Sequence, residues 1–331
     1  MLTSSDQGGG GKVSLRKRLA ISCAIGIAAG LVAYGLHQRA GFWPDYVFPW
    51  HAARLLLQGR DPYQALPGGL PEPFETPLLY PLTTVIAAIP FASFPLPVAG
   101  GITMALAAGL LTWVLLGIDL DLLWILASAP FVMAINFGQW SPLVTVAALT
   151  PTLGFLASLK PNIGLAALLA RPSVRAWVGA AIVGALSILV LPRWPLEWLH
   201  AIRSLPGHPS PILSGHGAGL LLAAAAIRWR TPEGRLLLVL ACVPQLLLFA
   251  DQLPLMLVAR TKRERRLLVS ASLLAFLLWF VSLSPGEAYV LAAAPFVLWL
   301  VYMPALLIVL LRPNEKSVSS GNRLSGAANS A

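Results

Sequence analysis

Apolar runs about as long as a membrane is thick recur along almost the whole chain. The runs at residues 19–38 and 98–117 contain no Lys, Arg, Asp or Glu, and about 20 apolar residues of helix cross the hydrocarbon core of a bilayer. Apolar residues make up 57% of the chain and charged residues 11%, which is more apolar surface than a soluble domain can bury. The runs do not alternate as barrel strands do. The sequence therefore predicts an all-α polytopic membrane protein.

We expect about ten to twelve helices that cross the membrane or half-span it. The predicted spans are 19–38, 77–95, 98–117, 121–137, 141–158, 161–171, 176–192, 212–227, 236–250, 252–259, 267–283 and 287–311. Two of them, 161–171 and 252–259, are short, and we interpret these as half-helices that are broken at Pro161 and Pro254 and line a cavity. Residues 236–259 are also compatible with one long helix.

The placement of the basic residues predicts an orientation. On this assignment, most of the 23 Lys and Arg residues share the side of the N-terminus, and the positive-inside rule makes that side cytoplasmic. One long helix over 236–259 would break the rule, so we favour the broken pair. The resulting division is a single transmembrane domain at 19–311, disordered cytoplasmic tails at 1–18 and 312–331, and extracytoplasmic loops at 39–76 and 193–211.

The extracytoplasmic face is predicted to hold most of the remaining polar groups, including Asp119 and Asp121. No metal site is expected there, because His200, His208 and His216 recur at a spacing of eight, which is not a helical metal spacing. The two cysteines lie inside apolar runs and imply no disulfide framework. The basic residues that give the net charge of +10 cluster at the ends of the spans. We therefore do not expect nucleic-acid binding.

The first predicted loop is longer than a simple connection requires. It places Asp45 beside aromatic residues just beyond the first span, where a carboxylate can act as a general base. An ordinary solvated loop aspartate is the alternative. In the same loop, Asp61 begins an Asp-Pro-Tyr sequence that is typical of a turn, and Gly59 is expected to end a short helix over 50–58.

Several polar side chains interrupt or flank the apolar runs. Lys160 lies between two spans, where an ammonium is expensive, so it is either a counter-charge for a phosphate or a side chain that snorkels to the headgroups. Gln139 and Asp251 lie at span ends, where capping or helix–helix hydrogen bonding explains them. Arg54 and Arg60 are able to hold a phosphate or to pair with loop acids.

Sequence signatures of nucleotide binding are absent from the chain. We find neither a Walker sequence nor a glycine-rich phosphate loop. Asp119-Leu120-Asp121 has the letters of a nucleotide–metal motif but lies in a tight turn between apolar spans. This argues against a nucleotide-sugar or ATP site.

The loop resembles the first-loop signature of glycosyltransferase family 87, a family of polytopic GT-C enzymes that use polyprenyl-phosphate mannose and related donors. The resemblance is carried by Asp45-Tyr46, Ala52-Ala53-Arg54, Gly59-Arg60-Asp61-Pro62-Tyr63 and Tyr80-Pro81-Leu82, with shorter matches at Gly138-Gln139, Leu159-Lys160-Pro161 and Asp251-Gln252-Leu253-Pro254. Family members often have two prolines after the tyrosine that corresponds to Tyr80, whereas this chain has one.

The resemblance implies a GT-C-like bundle and an inverting transfer in which Asp45 is the catalytic base. The sugar, mannose or a similar hexose or pentose, would pass from a polyprenyl-phosphate donor to an extracytoplasmic glycolipid or glycan acceptor in the cell envelope. No metal or other cofactor is expected. The remaining site residues are assigned as phosphate or substrate contacts (Lys160, Arg54, Arg60, Arg203, His216 and Asp251) or as residues that shape the loop (Asp61, Tyr63 and Tyr80).

Two alternatives remain open at this stage. Broken helices and a buried lysine also suit a multi-pass transporter or lipid flippase, although the two halves of the chain share no loop pattern, as internal repeats would. A catalytically silent relative of the family is the other alternative.

Overall fold

The computed structural model describes residues 13–39, 42, 44–65, 77–204, 209–283 and 289–313, with side chains in the last range described from residue 292. Every regular element in these ranges is a helix. The α-helices are α1 Leu15–His37, α2 Val47–Leu57, α3 Pro62–Ala65, α4 Leu82–Ala88, α5 Leu96–Ile118, α6 Ala129–Phe137, α7 Ser141–Leu149, α8 Pro161–Ala170, α9 Val174–Val190, α10 Trp194–Ser204, α11 Pro232–Cys242, α12 Lys262–Ser282, α13 Tyr289–Val297 and α14 Met303–Leu311. The 3₁₀ segments are Ile89–Phe91, Leu120–Ala127, Pro151–Leu159, Pro211–Leu213, Ala218–Arg228 and Ala250–Val258, and Leu298–Tyr302 is a π-helical segment.

The described residues include four helices that are long and apolar enough to cross a membrane: α1, α5, α12 and Ala292–Leu311. Two bent pairs raise the number to six if each pair is one span. The segment Leu120–Ala127 meets α6 at 61°, and α9 meets α10 at 97°. The prediction of an all-α membrane protein is therefore confirmed. The other apolar runs form shorter or bent helices.

Two ends of the bundle are defined by side-chain contacts. At the first, which we call the basic end, Arg18 lies over Trp113 and Arg265 pairs with Asp119. The same end holds Glu233, which binds Arg260 at 2.8 Å. At the other, which we call the Asp45 end, the last residue of α1, His37, contacts the backbone oxygen of Asn136 near the end of α6 at 3.2 Å.

Helices α1 and α5 run antiparallel between these ends and pack through small residues. A Cβ atom added at Gly30 would lie 2.7 Å from the backbone oxygen of Gly101 and 2.8 Å from the Cβ of Ala105. One added at Gly26 would lie 2.7 Å from the backbone oxygen of Ala105. These glycines let the two backbones approach as small residues do in membrane helix pairs.

The predicted span 77–95 is wrong. Only α4 and the segment Ile89–Phe91 are helical there, too short to cross a bilayer, and α4 packs against α2 at the Asp45 end. Because α1 ends and α5 begins at that end, the described residues between them do not form a span. Helices α2 and α3 give the first loop regular structure over 47–65, and its residues 66–76 lie outside the described ranges.

The predicted single span over 141–158 is also wrong. Helix α7 and the segment Pro151–Leu159 pack against each other, so the chain leaves the Asp45 end and returns to it. The reversal occurs at Thr150-Pro151, since a proline disfavours helical backbone in the residue before it. Lys160 is thereby brought back beside Gln139.

The prediction of a broken pair between 236 and 259 is confirmed, although the break is not at Pro254. Helix α11 ends at Cys242, residues 243–249 are non-helical, and Pro254 lies within the segment Ala250–Val258. The chain therefore turns back, and Arg260 reaches Glu233 beside the start of α11. One long helix would have separated these residues.

The predicted position of Asp119 and Asp121 is wrong. They were expected on the face opposite the basic residues 260–266, but Asp119 pairs with Arg265 and Asp121 with Lys262, each at 3.0 Å. The positive charges of these basic residues attract the two carboxylates. Asp119 and Asp121 therefore lie at the basic end.

Candidate active site

Asp45 lies in the turn that links the first span to α2. The next residue, Tyr46, is fully buried, and its hydroxyl lies 2.9 Å from that of Thr103 on α5. The Tyr46 ring also contacts Trp140, with 5.9 Å between ring centroids. Since Tyr46 is anchored on two elements, the backbone of Asp45 is held at the end of the bundle.

The side chain that meets Asp45 is Gln139, just beyond the end of α6. Gly138, the residue after the end of α6, adopts the left-handed conformation with φ +66°. A Cβ atom there would lie 2.7 Å from the Cβ of Tyr46, so glycine is required by conformation and by space. The turn directs Gln139 inward, where its Nε2 donates a hydrogen bond to Oδ2 of Asp45.

Lys160 and Asp251 form a buried ion pair beside this amide. The Lys160 Nζ lies 2.5 Å from Oδ1 of Asp251, and the two side chains are 13% and 2% exposed. Lys160 also donates to Oε1 of Gln139 at 2.6 Å. Both charged residues lie next to breaks between helical segments. An unpaired ion would be costly in this buried place, and each of the two charges stabilises the other.

A chain of hydrogen bonds connects the network to the first-loop turn. The hydroxyl of Tyr80 donates to Oε1 of Gln139 at 3.5 Å, and the hydroxyl of Tyr63 donates to the backbone oxygen of Tyr80 at 2.8 Å. The backbone N–H of Tyr63 in turn donates to Oδ1 of Asp61 at 2.9 Å. The three residues assigned to loop shaping therefore form one supporting path.

The surroundings of Asp45 raise the pKa of its carboxyl to about 6. Burial is the largest cause, because it disfavours the charged form, and the nearby Asp251 carboxylate acts in the same direction. The Lys160 charge and the Gln139 hydrogen bond oppose them. A carboxylate in this range is suited to accepting a proton near neutral pH.

A cleft is lined by both carboxylates. It has about 210 Å³ of space, including the part open to solvent, and its lining comprises Asp45, Phe137, Gln139, Leu246, Leu248, Ala250 and Asp251. The part of this space that water-sized groups can occupy is only about 10 Å³, so the cleft holds about one such group and not a whole lipid-linked sugar.

The other predicted contacts lie outside the network. Arg60, Arg203 and His216 are exposed, and the guanidinium of exposed Arg54 stacks over the ring of Trp50 at 4.9 Å. His208 lies outside the described residues. Within the ranges that the structure describes, no three His, Cys, Asp or Glu side chains are grouped to hold a metal.

Sequence reasoning assigned Gln139 to capping or helix packing and omitted it from the site. Its position carried one signal, because a glycine in the left-handed conformation often ends a helix and turns the following side chain away from the helix axis. That signal does not reveal the partner. Only the folded chain brings Gln139 to Asp45, which is 94 residues away.

Comparison with known proteins returned no matching family model, no matching curated protein and no matching solved structure.

Proposed function

We propose that this protein is an integral-membrane inverting glycosyltransferase. It would move a sugar, mannose or a similar hexose or pentose, from a polyprenyl-phosphate donor to a cell-envelope glycolipid or glycan. The observation that carries the proposal is the Asp45 carboxylate, held by Gln139 and exposed to a cleft at one end of a membrane-embedded bundle. The resemblance of the first loop supplies the reaction class.

In this reaction Asp45 takes the proton from an acceptor hydroxyl. The hydroxyl oxygen forms a bond to the anomeric carbon of the donor while the bond from that carbon to the phosphate oxygen breaks. The electron pair leaves with the polyprenyl phosphate, and the configuration at carbon is inverted. The pKa of Asp45 near 6 leaves its carboxylate ionised at neutral pH and basic enough to assist.

The proposal gives Lys160 a different role from direct phosphate contact. Its ammonium is already bound by Asp251 and Gln139, and the described residues that line the cleft include neither Lys nor Arg. We therefore assign Lys160 to the electrostatics of Asp45 and place the donor phosphate outside the cleft.

A transporter or lipid flippase is the second candidate function. The Lys160–Asp251 ion pair at two helix breaks favours it, because transporters build substrate and ion sites from discontinuous helices. Such sites lie near the middle of the membrane, whereas this network lies level with the last residue of α1. A silent relative of the enzymes would keep the same site without turnover.

Replacement of Asp45 by Asn tests the proposed role. Asn cannot take the proton, so transfer from a polyprenyl-phosphate sugar should fall by about 10²- to 10⁴-fold while expression and melting temperature are retained. The matched control is Asp61→Asn, whose side-chain oxygen can still accept from Tyr63 and should leave transfer unchanged. Wild-type turnover in the Asp45→Asn protein would remove Asp45 from the mechanism.

A further inference from the structure

We infer that Gln139 is a positioning residue that holds Asp45 and is itself oriented by the Lys160–Asp251 ion pair. Any effect of Gln139 on catalysis rests on the proposed function. The contacts of Gln139 with Asp45, of Gln139 with Lys160 and of Lys160 with Asp251 do not. Nothing in the sequence pattern alone assigned this role to the glutamine.

The orientation of the Gln139 amide follows from the chemistry of its neighbours. A lysine ammonium has only donors, so the group that faces Lys160 at 2.6 Å must be the Gln139 oxygen. The Tyr80 hydroxyl donates to the same oxygen. The NH₂ group must then point the other way, toward Oδ2 of Asp45, which can only accept when it is ionised.

This arrangement has two effects on Asp45. The amide donor fixes one carboxylate oxygen while the side chain still lines the cleft. A hydrogen bond to the ionised form also favours that form, so Gln139 opposes the effect of burial on the Asp45 pKa. Gln139 thus favours the ionised form of the partly buried Asp45 carboxylate and fixes its orientation.

Lys160 acts on Asp45 through space by its charge and through Gln139 by fixing the amide. Without the ammonium, the amide oxygen would lose one of the two donors that orient it away from Asp45, and the Tyr80 hydroxyl alone would remain. Asp251 binds the Lys160 ammonium and holds it in place. The charged or titratable groups that face Asp45 from the packed elements are Lys160, Asp251 and the Tyr80 phenol.

The test measures the protonation of Asp45 directly and does not require turnover. A hydrophobic carbodiimide modifies protonated carboxyl groups, and mass spectrometry of peptides from the detergent-solubilised full chain reports modification at Asp45 separately from Asp251. The wild-type midpoint should lie near pH 6. Gln139→Met removes the donor and should raise the midpoint by about one to two units, since a hydrogen bond to a charged group favours the ionised form.

Gln139→Glu provides a second measurement if the methionine variant does not fold. A glutamate still accepts from Lys160 but adds a negative charge beside Asp45, so the midpoint should again rise. Lys160→Met should raise it as well. The control is Gln64→Met, which removes an exposed glutamine bound to Glu197 at 3.1 Å and should leave the midpoint unchanged.

An Asp45 midpoint that is the same in the wild type and the Gln139 variants would overturn the inference, as would failure of both Gln139 variants to fold, which would make the residue a structural one. The proposed function fails separately. Absence of transfer by the wild-type protein contradicts the enzyme assignment, yet it leaves a shift of the Asp45 midpoint in the variants as evidence for positioning.

Discussion

Asp45 is subject to opposing influences that come from four different parts of the chain. Its own turn places it where burial disfavours charge, and Asp251 adds a second negative charge. Gln139 and Lys160 favour the ionised form. Because none of these groups is a sequence neighbour of Asp45, its acidity is a property of the fold and is sensitive to each of the segments that meet there.

The acidity of Asp45 predicts how transfer depends on pH. A general base must be deprotonated, so the rate should be constant above the pKa and fall about tenfold per unit as the pH drops below about 6. The measurement is kcat/KM from pH 4.5 to 8, with melting temperature recorded at each pH as the control for unfolding. A rate that stays level down to pH 4.5 would contradict this pKa as the kinetic one.

At the scale of helices, the sequence indicated where apolar segments lie but not which way they run. The spans at 19–38 and 98–117 correspond to α1 and α5. By contrast, the segments at 77–95 and 141–158 also contain no Lys, Arg, Asp or Glu, yet they do not cross as single spans. Whether such a segment crosses the membrane depends on its packing against distant elements, which hydropathy does not encode.

The same distinction applies to the candidate site. Asp45, Lys160 and Asp251 were selected as ionisable groups at the edges of apolar runs, and the structure brings these three together. Arg54 and Arg60 were selected for their charge and their place in the loop, but both are exposed on the described surface. Charge type predicts a possible role, and only three-dimensional proximity selects among the possibilities.

The α1–α5 interface predicts a large effect of one added side chain. Gly30→Leu should destabilise the protein by about 1–3 kcal/mol, because the backbone of Gly101 and the Cβ of Ala105 leave no space for a Cβ atom. Thermal unfolding in detergent measures this. The control is Gly35→Leu on the same helix, where nothing lies within 4 Å of the added Cβ; equal losses in the two variants would contradict tight packing at Gly30.

At the scale of the whole molecule, charge is separated along the bundle. The basic end concentrates ion pairs that tie helices together: Arg260–Glu233, Lys262–Asp121, Arg265–Asp119, Arg312–Glu233 and Arg312–Glu264. The Asp45 end carries the buried network and the cleft. Ion pairs therefore hold the helices together at one end of the bundle, and the network around Asp45 lies at the other.

The separation of the two ends leads to a prediction about topology. Gln58, at the end of α2, and Lys262, at the start of α12, are exposed at opposite ends of the bundle. We expect the basic end to face the cytoplasm, since positively charged loops are retained there. In a background with Cys23 and Cys242 replaced, a membrane-impermeant maleimide should label Gln58→Cys in intact cells and label Lys262→Cys only after permeabilisation.

Labelling of both cysteines in intact cells would contradict the assignment of the two ends to opposite faces. The reversed pattern would keep the fold but place Asp45 in the cytoplasm, where a lipid-linked donor on the outer leaflet could not reach it.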